Sequence, residues 1–83
     1  MVHIAPFLFQ KQDGLMVNNL KYFREQQAVT QEQLAGHVRV SRQSIISIEK
    51  GQYVPTTVLA LKLASALKMT VEDLFELDEN DWK

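Results

Sequence analysis

The 83-residue chain has no cysteine. Disulfides and thiolate metal sites are therefore excluded, and the absence fits a reducing cytoplasm. No run approaches the roughly 20 consecutive apolar residues that a membrane-spanning helix needs, so membrane insertion is not expected. The apolar start VHIAPFLF is short, is interrupted by Pro6 and has no Lys or Arg before it, unlike a secretory leader. Internal repeats and low-complexity runs are also lacking. An excess of basic charge is missing too, since the net charge is −1. By itself that argues against a nucleic-acid partner.

The distribution of charge changes that argument. Residues 16–75 carry seven Lys or Arg and five Asp or Glu, whereas residues 76–83 carry four acids and one Lys. The acidity lies in the tail and the central part is mildly basic, a weak footprint that permits DNA binding. The length allows one domain with one small core. With 46% hydrophobic and 23% charged residues, the composition is that of an ordinary globular chain.

Helix-start signals recur at short intervals. Thr30 precedes QEQLA with Gln33 at the capping-box position, Ser41 precedes RQSIISIEK, and Thr56 precedes TVLALKLASAL. Thr70 precedes VEDLF with Asp73 at the box position. An earlier segment, NLKYFREQQ, spaces Leu20 and Phe23 by three. The reading is an all-α domain of five short helices, roughly 19–27, 31–37, 42–50, 57–67 and 71–75. Residues 16–18 and 76–78 are candidates for a small terminal two-stranded sheet, since chain ends in a small domain often lie close together. The expected core is Leu20, Phe23, Leu34, Ala35, Val40, Ile45, Ile48, Leu59, Leu63, Ala64, Leu67, Leu74 and Phe75.

The third of these helices carries the chemistry. At about 100° per residue, Ile45 and Ile48 share a face and Glu49 falls near it. The opposite face presents Gln43, Ile46, Ser47 and Lys50, flanked by Arg42. Gln bonds an adenine edge bidentately, Arg a guanine edge, Ser either, and an apolar group meets a thymine methyl. A solvated face with one stray Ile is the plainer alternative for this helix alone. The helix before it is separated only by Val38-Arg39-Val40-Ser41, which suggests a helix-turn-helix with the second helix in the major groove. Gln31 sits in the first turn of the preceding helix, where a side-chain amide and free backbone N–H groups suit a phosphate.

The stretch TQEQLAGHVRVSRQSIISIEKGQYVPT resembles the Cro/CI-type (XRE, lambda-repressor-like) helix-turn-helix family of phage and bacterial regulators. The family pattern TQxxLAxxxGVSxxxIxxxExGxxxP is met at Thr30, Gln31, Leu34, Ala35, Val40, Ser41, Ile45, Glu49, Gly51 and Pro55. The resemblance continues through LALKLASAL and VEDLF and covers about residues 16–77. The small stand-alone members without a ligand-binding domain are the most similar. Two turns depart from the pattern, because Arg39 and Lys68 stand where the family usually has Gly.

The resemblance implies a DNA-binding transcriptional regulator, a dimeric repressor on a palindromic operator of double-stranded DNA. It implies an internal ion pair between Arg24 and Glu49. Arg42, Gln43, Ile46 and Ser47 are expected to read bases. Gln31, Arg39, Ser41, Lys50, Gln52 and Tyr53 are expected to contact the DNA backbone. Val71 and Leu77 are candidates for the dimer surface. The same fold could instead serve as an antitoxin or a module for a regulatory protein partner.

Catalysis is not expected. Ser47 and Lys50 spell S-x-x-K, but the companion motifs of that enzyme class are absent. His3 and His37 are the only histidines, and no cluster has ligand spacing, so neither a metal nor a cofactor is expected. Residues 1–15 lie outside the resemblance, and residues 78–83 form an acidic tail. Met16 is itself a candidate start, which would make 1–15 a translated upstream stretch. The alternative is an arm packing Phe7, Leu8 and Phe9 on a partner subunit.

Overall fold

A computed structural model describes residues 16–82. The readings placed on residues 1–15 lie outside this range. The described residues form β1 (Val17–Asn18), α1 (Leu20–Gln26), α2 (Gln31–Val38), α3 (Arg42–Glu49), α4 (Thr57–Leu67), α5 (Val71–Leu74) and β2 (Phe75–Glu76), followed by a 3-10 turn at Glu79–Trp82.

Side-chain caps fix four of the five helix starts. The Thr30 hydroxyl accepts from the Gln33 N–H at 3.0 Å, and the Gln33 side chain accepts from the Thr30 N–H at 2.9 Å. Thr70 and Asp73 make the same reciprocal pair. Ser41 accepts from the Ser44 N–H and Thr56 from the Leu59 N–H, both at 3.1 Å. Each cap of this kind stabilises by about 0.5–2 kcal/mol.

The start of α1 is different. Asn19 makes no side-chain cap bond, and the Asn18 side-chain oxygen Oδ1 accepts from the Leu20 N–H at 2.9 Å instead. Asn18 Nδ2 also donates to the Ile48 carbonyl near the end of α3. The Asn19 backbone N–H reaches the Leu74 carbonyl at 2.8 Å. This Asn pair therefore ties the chain entry to the ends of α3 and α5. Both residues are buried, a role their polarity did not predict.

The helix ends carry the strain that the missing glycines imply. Arg39 has φ 62° and ψ 47°, and Lys68 has φ 57° and ψ 45°, so both helices close in the left-handed region. Each costs a non-Gly residue on the order of 1 kcal/mol. Ala28, after α1, is a third such residue at φ 58°, and nothing in the sequence pattern marked it.

The strands pair antiparallel with Val17 opposite Glu76 and Asn18 opposite Phe75. The second strand thus begins at Phe75, earlier than the expected 76–78, and α5 stops at Leu74. Phe75 adopts extended angles, φ −135° and ψ 133°, which let its ring enter the core. Leu77 is left 59% exposed. The core lies between α1, α2, α3, α4 and α5, with Leu20, Leu34, Ile45, Ile48, Leu63 and Leu74 fully buried at its centre. Val38 joins it, while Phe23 and Val40 pack at its edge.

Candidate nucleic-acid interface

Three residues, Arg39, Val40 and Ser41, join α2 to α3, and the two helices pack closely against each other. The buried side of α3 is Ile45, Ile48 and Glu49. Arg42, Gln43 and Lys50 are exposed, while Ile46 and Ser47 are half-buried. Ile46 is thus less open than its helical angle suggested.

A polar hollow of about 470 Å³ is lined by Ser41, Gln43, Ser44, Ser47, Gln52 and Tyr53. It brings together five side chains assigned from the sequence, two as base readers and three as backbone contacts. Ser44 is the sixth, and its hydroxyl lies 3.1 Å from that of Ser41. Tyr53 is 42% exposed, with its ring available at the rim. Hydroxyls, amides and a phenol are the groups that bond phosphate oxygens and base edges.

Arg39 is not part of this group. It lines a separate hollow with His37, Lys62, Ser65 and Ala66. The left-handed turn groups its side chain with Lys62 of α4, a cation whose neighbourhood to the turn has no local sequence signal. Among the described residues, no cluster of three His, Asp or Glu could hold a metal ion.

Behind the polar face of α3 lies the buried pair. Arg24 Nε donates to Glu49 Oε2 at 2.6 Å, and Nη2 donates to Oε1 at 3.2 Å. Arg24 Nη1 donates to the Val29 carbonyl at 2.8 Å. Both residues are buried, so the bidentate geometry is what offsets their desolvation. Gln31 Nε2 adds a third bond, donating to Glu49 Oε1 at 3.0 Å. The side chain expected to face a phosphate is therefore also tied to the end of α3.

Two short helices joined by three residues, the second with one buried and one polar face, define a helix-turn-helix domain. A family model described as Helix-turn-helix matches residues 20–74. The chain belongs to the XRE (Cro/CI-type) family of helix-turn-helix transcriptional regulators, which are not enzymes. It is 46% identical over 66 residues to the uncharacterized HTH-type transcriptional regulator MJ0272 of Methanocaldococcus jannaschii, covering 80% of this chain and 100% of that protein. It is 44% identical over 66 residues to the regulator YgzD of Bacillus subtilis, with the same coverages.

Solved structures agree. The restriction-modification controller protein C.AhdI from Aeromonas hydrophila is similar at a TM-score of 0.65 and 33% identity, over 69% of this chain and 86% of that one. The clp gene regulator ClgR from Corynebacterium glutamicum is similar at 0.63 and 31%, over 65% of this chain. The match spans 57% of the ClgR chain.

Proposed function

We propose that the protein is a cytoplasmic, sequence-specific DNA-binding repressor that reads a palindromic operator as a homodimer, with α3 in the major groove. The observation that carries this reading is the polar hollow along α3, where Gln43 and Ser47 stand beside Ser41, Gln52 and Tyr53. Arg42, Gln43, Ile46 and Ser47 read base edges. Gln31, Ser41, Lys50, Gln52 and Tyr53 hold the phosphates. Arg39, grouped with Lys62, meets the backbone further along the turn.

One reading helix covers too few base pairs for specificity, so a second copy is needed. An apolar hollow of about 350 Å³, lined by residues that include Met16, Val54, Leu61, Val71 and Phe75, supports such a contact. Val71 is part of it, and the exposed Leu77 follows β2. The same hollow also fits a regulatory protein partner, which is the second reading. Hydroxyl-radical footprinting on a selected duplex separates the two. Two protected patches about one helical turn apart, roughly 34 Å, support the dimer. A single patch would overturn it.

A further inference from the structure

We infer that Glu49 is a positioning residue for DNA binding: it holds the Gln31 carboxamide so that the phosphate-contacting end of α2 and the reading helix α3 meet DNA as one rigid unit. The inference rests on the proposed reading of Gln31 as a backbone contact. Its basis is the three-residue bond set at one buried carboxylate. Arg24 already meets both Glu49 oxygens, so the charge of Glu49 is balanced without Gln31. The bond from Gln31 is extra to that balance, and it joins the first residue of α2 to the last residue of α3.

A carboxylate offers about four acceptor sites, and a carboxamide nitrogen has two hydrogens. One Gln31 hydrogen goes to Glu49 Oε1. The other remains for a phosphate oxygen, with the side-chain torsions already set. Gln31 is half-buried, which leaves one side of the group open to a ligand. Arg24 has a second effect. An unbalanced carboxylate behind Gln31 would repel the phosphate, and the guanidinium cancels that repulsion. Fixing one rotamer-rich side chain before binding is worth roughly two- to tenfold in affinity.

The test compares Gln31→Ala in two backgrounds of the full chain, wild type and Arg24→Met/Glu49→Leu. The double substitution removes both charges together and leaves no buried charge unpaired. Affinity is read on a duplex selected by the wild-type protein, and the Gln31 carboxamide signals are read by ¹H–¹⁵N NMR without DNA. We expect Gln31→Ala to weaken binding about tenfold in wild type and less than twofold in the double variant. The two Gln31 amide-proton signals should be widely separated in wild type and collapse to ordinary values in the double variant.

Equal losses in both backgrounds would overturn the positioning role while leaving Gln31 as a phosphate contact. No loss in wild type would overturn the phosphate contact itself. If the double variant does not fold, the wild-type carboxamide signals without DNA decide. Widely separated Gln31 amide protons that exchange slowly with water support the role, and ordinary, rapidly exchanging signals contradict it.

Discussion

The outward faces of α3 and of the start of α4 are chemically opposite. On α3 and its C-terminal cap, the exposed side chains include Arg42, Gln43 and Lys50. On α4 and the loop before it, Val54, Val58 and Leu61 are 50%, 63% and 57% exposed. Polar groups on a helix surface are satisfied by water and exchange it readily for base edges and phosphates. Apolar groups in water forgo about 25 cal/mol for each Å² that could be buried. Under the proposed function, the first surface suits reading and the second suits assembly. The buried Arg24–Glu49 pair lies behind the first face only.

The largest test of this contrast breaks the support of the reading face. Glu49→Ala leaves Arg24 buried without its partner and should cost about 3–5 kcal/mol in urea unfolding. At the apolar face, Leu61→Asp should weaken self-association by about 2 kcal/mol, the scale of a hot-spot residue. Sedimentation equilibrium reads that loss, and the circular dichroism spectrum should stay unchanged. At the reading face, Gln43→Ala should cost about 1–3 kcal/mol of binding and relax specificity at one position, with an unaltered melting temperature.

Smaller effects sharpen the picture away from both faces. Gly36 lies within α2, and a Cβ added there meets no atom within 4 Å. Gly36→Ala should raise stability by about 0.5–1 kcal/mol in denaturant unfolding. At α5, the N–H and hydroxyl of Thr70 hold the Asp73 carboxyl below its ordinary value. A depressed carboxylate stabilises above the unfolded value and loses that contribution as pH falls through the folded one. Melting temperatures should therefore show wild type ahead of Asp73→Asn at pH 6. The gap should close below about pH 4.

The legible parts of the fold are those written locally. Thr30, Ser41, Thr56 and Thr70 act within three residues of themselves, so their caps can be read from spacing. Ile45 and Ile48 declare the buried side of α3 by period alone. The left-handed Arg39 and Lys68 follow from standing where relatives have Gly, whereas Ala28 has no such marker. Bonds between residues far apart in the chain were out of reach of spacing alone, and the Arg24–Glu49 pair came only through the family resemblance. Asn18 holding the Ile48 carbonyl, Gln31 meeting Glu49, and Arg39 sharing a hollow with Lys62 depend on how helices cross, which periodicity does not encode. The apolar hollow was only partly visible: Val71 was marked, but Val54 and Leu61 come from other elements. The strand at Phe75 began early because burying that ring outweighed continuing the helix.

The central claim is that α3 reads sequence in a dimer. Selection of bound duplexes from a random DNA pool at about 150 mM salt, where nonspecific binding is weak, tests it most directly. The account predicts a palindrome with half-sites about one helical turn apart, blurred at one position per half-site by Gln43→Ala. Recovery of no common sequence from folded protein would contradict it.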